Sequence, residues 1–124
     1  MDRYITQSKY FTPNFNTAIF SDPIRIYFSN QHESQALEIY FLMQKRKNEW
    51  EKFLRSRGKG NYCYLMLYPE QSQFAQCFEN GDSNFSPGEM GEDFVIGING
   101  PLDATRMQAL MDDIDGQIGY QNPE

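Results

Sequence analysis

The stretch NYCYLMLYPEQSQFAQCFE, residues 61–79, decides which fold the sequence implies. Asn61–Tyr68 and Gln73–Glu79 read as two strands joined by Pro-Glu-Gln-Ser, since a proline and polar residues between apolar runs are turn chemistry. A hairpin here makes its two strands antiparallel neighbours. In the first strand Tyr62, Tyr64, Met66 and Tyr68 line one face, and Cys63, Leu65 and Leu67 the other, so both faces are fit for burial. A four-residue loop sets Cys63 opposite Phe78, whereas an odd-numbered loop would set it opposite Cys77.

Upstream, Thr17–Phe20 and Pro23–Phe28 read as two short strands around a Ser21-Asp22 turn, with Ile24, Ile26 and Phe28 alternating against Arg25 and Tyr27. Asn30 and Glu33 have the spacing of a capping box, which predicts one long helix ending near Arg57 at Gly58. At roughly 100° per residue, Ala36, Ile39, Tyr40, Met43, Trp50 and Leu54 share a stripe. Leu37 and Phe41 point away from that stripe, so the first half is apolar nearly all round and needs cover on two sides.

Downstream, residues 80–92 read as a long polar turn region, Asp93–Ile98 as a strand and Pro101–Ile114 as the final helix. Met107, Leu110, Met111, Ile114 and Ile118 fall on one face of that helix. The expected fold is a single α+β domain of order ββαβββα, its sheet largely antiparallel and carrying two helices. Residues 1–16 are expected as an N-terminal arm, 17–118 as the domain and 119–124 as a tail. The element order resembles that of profilin-like folds, including the longin and roadblock modules, as an analogy of topology alone.

The 124 residues suffice for one core without disulfides. The net charge of −6 is unevenly spread. Residues 45–59 hold seven of the eleven bases against two acids, and residues 60–124 hold eleven acids and a single base, Arg106. Such blocks either make the folded molecule dipolar or neutralise one another on folding. No basic-then-apolar leader opens the chain, and its longest apolar run, Tyr62–Tyr68, falls far short of the roughly 20 residues of a spanning helix. A cytoplasmic protein without membrane association is expected.

The run from Asp93 into GINGPLD raises the question of a phosphate cradle. Pro101 suits a first helical position and Asp103 the first turn, while Glu92, Asp93 and Asp103 make the neighbourhood negative. No G-x-G-x-x-G or Gly-Lys-Ser/Thr is present, so the segment reads as a structural corner. Ile98–Ala104, INGPLDA, followed by an amphipathic helix resembles the strand–Gly-x-Leu-Asp-Ala–helix opening of STAS domains, which bind anti-sigma factors and related partners. That likeness spans some twenty residues and transfers no functional residue.

His32 is the one histidine, and Cys63 and Cys77 are the only thiols. Both cysteines sit between bulky apolar neighbours, the setting of inert packing residues. No catalytic or metal-ligand spacing joins them, which weighs against an enzyme, a metal site or a cofactor. Asp112, Asp113 and Asp115 before Gly116 do not complete a calcium loop, because Asn122 falls where its bidentate Glu belongs. They read as an acidic patch, either solvated or open to a basic partner.

The sequence therefore favours a non-enzymatic protein–protein interaction module, an acidic adaptor, chaperone or inhibitor that forms a homodimer. Its expected surfaces are the Tyr62/Tyr64/Met66/Tyr68 face and the Leu37/Phe41 side of the helix. The competing arrangement folds the aromatic arm (Tyr4, Tyr10, Phe11, Phe15) over the tyrosine face. One alternative function is a small-molecule or enzymatic site at His32 and loop 80–92. Another is single-stranded nucleic-acid binding through residues 45–59 and the adjacent tyrosines, which the net charge opposes.

Overall fold

The computed structural model describes residues 3–57, 62–78 and 83–121, with side chains from residue 5 onward. A short helix α1 (Arg3–Thr6) is followed by β1 (Thr17–Ser21), β2 (Ile24–Phe28), a 3-10 turn (Asn30–His32), α2 (Glu33–Gln44) and α3 (Lys47–Ser56). Then come β3 (Cys63–Tyr68), α4 (Gln71–Cys77), β4 (Phe85–Met90), β5 (Asp93–Asn99) and α5 (Ala104–Ile118). The strands form one mixed sheet in the order β1-β2-β3-β5-β4, so the chain is a single small α+β domain.

The expected hairpin at residues 61–79 does not form, and with it goes the largely antiparallel sheet. Gln71–Cys77 is a helix, and β3 pairs in parallel with both β2 and β5. Only the outer pairs, β1·β2 and β4·β5, are antiparallel. The physical reason lies in β3, buried at every position from Cys63 to Tyr68. A strand buried on both faces belongs at the centre of a sheet, flanked by crossovers. Phe74 brings one side of α4 onto the sheet and Phe78, extended at its C-terminal end, stacks on Phe74, while Ala75 and Gln76 face water.

Three other expectations need correction. The long helix is broken at Lys45–Arg46, where the chain tightens into an Arg46 N–H to Met43 carbonyl bond of 3.0 Å. Residues 80–92 are not one loop, since 85–90 form the edge strand β4 and residues 79–82 lie outside the described residues. The capping box is absent: Asn30 opens the 3-10 turn, and the Asn16 side chain accepts from its N–H. The β1–β2 turn lies one residue later than expected, at Asp22–Pro23, because Ser21 still pairs with Ile24.

The sheet separates two cores. On one face Ile24, Ile26, Leu65, Leu67, Ile96 and Ile98 meet Ile39, Met43 and Trp50 of α2–α3 and Leu110 and Ile114 of α5. On the other, Tyr27, Tyr64, Met66, Tyr68 and Val95 meet Ile5, Tyr10 and Phe15 of the N-terminal segment, Phe74 of α4 and Phe78 just after it. Two glycines admit the second layer. A Cβ on Gly97 would lie 2.2 Å from the Phe78 ring, and one on Gly88 would lie 2.6 Å from the Tyr10 hydroxyl.

Candidate interaction surface

The tyrosine face is occupied. Tyr64, Met66 and Tyr68 are all but inaccessible, and Tyr62 is half-buried under the Arg25 guanidinium at 4.1 Å. Phe15 packs edge-on against Tyr68 at 5.1 Å between centroids, and the Tyr68 hydroxyl donates to the Tyr10 carbonyl at 2.6 Å. Burial, together with the hydrogen bond to Cys77, pushes the Tyr68 phenol far up. Of the two arrangements open to the sequence, the aromatic arm over the sheet is the one adopted. Tyr64, Met66 and Tyr68 are thus core residues and offer no surface to a partner.

Leu37 and Phe41, by contrast, are left uncovered by the rest of the chain's described residues. Leu37 is 39% exposed and Phe41 62%, one helical turn apart on α2, with Tyr40 edge-on to Phe41 at 5.2 Å. Their place in the fold follows from the two flanks of α2. Leu42 and Glu38 line a groove of about 240 Å³ against Met107 and Met111 of α5. Gln44 reaches the other way and donates to the Ser21 hydroxyl of β1 at 2.7 Å. At roughly 100° per residue Leu37 and Phe41 fall on the flank away from α5, above the β1 edge. Phe20 of β1, 53% exposed, projects from the opposite face of that edge with Arg25 over its ring at 5.0 Å.

The charge blocks partly neutralise one another. Buried Arg46 donates from Nη2 to Asp115 Oδ2 at 3.0 Å and from Nη1 to the Leu42 carbonyl at 2.9 Å, with its Nε also on Asp115. Arg57 donates to Glu89 Oε1 at 3.2 Å. The expected acidic patch therefore divides: Asp112 and Asp113 are exposed, whereas Asp115 is held by Arg46. A nucleic-acid surface from 45–59 and the tyrosines loses Arg46 to this pair and Tyr64 and Tyr68 to the core.

The candidates for chemistry are scattered. Cys63 lies beside Ile24 at the start of β2, whereas His32 follows the end of that strand, so the two stand about 13 Å or more apart along it. Burial raises the Cys63 thiol well above its usual range, the property of an inert side chain. Cys77 belongs to the opposite layer and donates to the Lys9 carbonyl at 3.4 Å. Among the described residues no three His, Cys, Asp or Glu side chains gather as a metal would require.

Against known proteins, the chain matches no family model, no curated protein and no solved structure.

The glycine corner is held from within. A Cβ on Gly100 would lie 2.5 Å from the Tyr68 carbonyl, so glycine permits the close approach of β5 to β3. The Gln35 side chain clamps both the N–H and the carbonyl of Leu102. Arg106 donates to the carbonyls of Asn99 (2.6 Å) and Pro101 (3.1 Å) and to the Asn84 side chain (3.2 Å). Asp103, not Pro101, starts the helix, accepting from the Arg106 N–H at 2.8 Å. Composition could flag Arg106 as the one base of its half, but its role as a brace depends on the corner's fold, which turns the Asn99 and Pro101 carbonyls and the Asn84 side chain towards it.

Proposed function

We propose that this chain is a non-enzymatic protein–protein interaction module of adaptor, chaperone or inhibitor type, acting in the cytoplasm and docking through the Leu37/Phe41 side of α2. The observation that carries this reading is the exposed Leu37–Phe41 pair beside an otherwise closed core. Two large apolar side chains one turn apart form the anchor pattern by which a helix face engages a partner. The net charge of −6, with Asp112 and Asp113 exposed on α5, favours a basic partner through long-range steering rather than through contact at this flank. The test is affinity capture with the wild-type protein and with Leu37→Ser/Phe41→Ser, followed by titration of the purified captured partner. The reading expects equal thermal stability and at least tenfold weaker binding by the double variant. Equal binding by both proteins would overturn it.

A second reading, a small-molecule site at the sheet end, has one observation in its favour. A cleft of about 420 Å³ opens beside Gln71, Asn99, Gly100 and Arg106, where β3 and β5 end. His32 follows β2 at that same end, because β2 runs parallel to β3. Unchanged ligand binding after His32→Ala would remove this histidine from the reading.

A further inference from the structure

The two edges of the sheet differ in how they meet solvent. Within a strand, backbone groups alternate in direction, so one fixed bond sets the rest. The Phe94 N–H donates to the Tyr62 carbonyl in β3, whereas the Asn99 N–H turns to the Asn84 carbonyl. Odd residues of β5 therefore bond β4, and through the register Ser86, Gly88 and Met90 point inward while Phe85, Pro87 and Glu89 point outward. Pro87 has no N–H to offer there, and the Tyr10 hydroxyl donates to the Glu89 carbonyl at 3.1 Å. Edge β4 is blunted in two ways.

Edge β1 is not. The Cys63 N–H donates to the Pro23 carbonyl, so Ile24, Ile26 and Phe28 turn to β1, and their partners Ser21, Ile19 and Thr17 turn back. The N–H and C=O groups of Ala18 and Phe20 then face solvent. Residues 17–21 contain neither proline nor an ionisable side chain. Exposed apolar groups flank this edge on both faces of the sheet, Phe20 on one and Leu37 with Phe41 on the other.

We propose that β1 pairs antiparallel with β1 of a second copy, joining two sheets across a two-fold axis at Ile19. The inference goes beyond the docking reading of the Leu37/Phe41 side: it concerns the neighbouring strand edge and names a second copy as its occupant. This strand is self-complementary in that register: Ala18 of each copy exchanges both bonds with Phe20 of the other, four hydrogen bonds in all, and each Phe20 ring lies beside the small Ala18. An uncharged strand lets two chains of net charge −6 meet without like charges opposed at the seam. A helix of 12 residues above the strand gives a side face roughly 18 Å long. With the sheet beneath it, that side is two layers or ~20 Å deep and supplies on the order of 400 Å² per copy, below the ~800 Å² of a standard stable interface. The expected dimer is accordingly weak, with a dissociation constant on the order of 10 μM or above.

Sedimentation velocity from ~5 μM to ~500 μM, with amide hydrogen exchange at both ends of the range, tests the pairing. The wild-type protein is expected to pass from mostly monomer to mostly dimer while the Ala18 and Phe20 amides gain about three- to sevenfold protection, the change in free monomer for a dissociation constant of ~10–100 μM. Ala18→Pro removes one outward N–H and none of the β1–β2 bonds, and Phe20→Glu sets a charge on the edge. Both are expected to stay monomeric and folded. A wild-type monomer throughout, or dimers of Ala18→Pro and Phe20→Glu as tight as wild type, would overturn the inference. Neither result touches the capture of another protein through Leu37/Phe41, and unchanged capture by the Leu37/Phe41 double variant would leave the β1 dimer standing.

Discussion

Replacing Gly97 by alanine tests whether the second aromatic layer lies on the sheet. The new Cβ would stand 2.2, 2.5 and 2.8 Å from three atoms of the Phe78 ring, so the ring would have to move by about 1 Å to reach ordinary contact. It cannot move alone. Phe78 stacks on Tyr10 and on Phe74 at 5.2 Å each and meets Tyr68 edge-on at 6.0 Å. Overpacking of this kind costs about 1–3 kcal/mol, and expelling the ring instead would forfeit a comparable burial energy. At about 4 °C per kcal/mol for a chain of this size, the expected fall in Tm is about 4–12 °C. The sign is the informative part, because in an open strand position alanine would stabilise by roughly 0.5–1 kcal/mol over glycine. Gly116→Ala supplies the control: a Cβ there meets nothing within 4 Å, and a helix-interior alanine is expected to raise stability by about 1 kcal/mol. Thermal unfolding followed by far- and near-UV circular dichroism reads both variants. A Gly97→Ala protein as stable as wild type or more so would refute the packing of Phe78 on the sheet.

Two further outcomes follow from electrostatics. Asp115→Ala strands the buried Arg46 guanidinium and is expected to cost about 2–3 kcal/mol in urea unfolding, whereas Glu89→Ala, at a side chain 52% exposed, should cost less than about 0.5 kcal/mol. Burial raises the Asp93 carboxyl above its ordinary range despite the N–H of Tyr62 and the nearby arginines. A raised acid holds its proton more tightly when folded, so its stabilising contribution is full at low pH and lost as pH rises through the folded pKa. Asp93→Asn should therefore melt above wild type at pH 7, with the gap closing below about pH 4; a gap that widens in acid would contradict this sign.

Much of the architecture could be read from local pattern. Ile24, Ile26 and Phe28 alternate in the sequence and all three reach the core, and the five apolar residues assigned to the last helix are all buried in α5. The stripe along residues 36–54 also faces inward, although the break at Lys45–Arg46 left no trace in composition. The segment 73–79 was ambiguous in principle. Phe74, Cys77 and Phe78 fit either period over so few residues, and the helix is chosen by what lies beneath it, a notch at Gly97 that receives Phe78. Strand β4 was hidden by Pro87 and Gly88, residues that demote a strand in isolation yet suit an edge. At the candidate surface, Leu37 and Phe41 were legible as apolar residues off the main stripe. The fate of Tyr64, Met66 and Tyr68 was not, because composition supplies an aromatic arm without saying where it folds.

The central claim is that the tyrosine face is core and that the spare apolar surface lies on α2. Side-by-side thermal unfolding of Tyr64→Ser and Phe41→Ser tests it most directly. Tyr64 is 1% exposed, and its truncation is expected to cost about 3–5 kcal/mol. Phe41→Ser is expected to stay within about 0.5 kcal/mol of wild type. A near-neutral Tyr64→Ser, or a Phe41→Ser as damaging as Tyr64→Ser, would contradict the account.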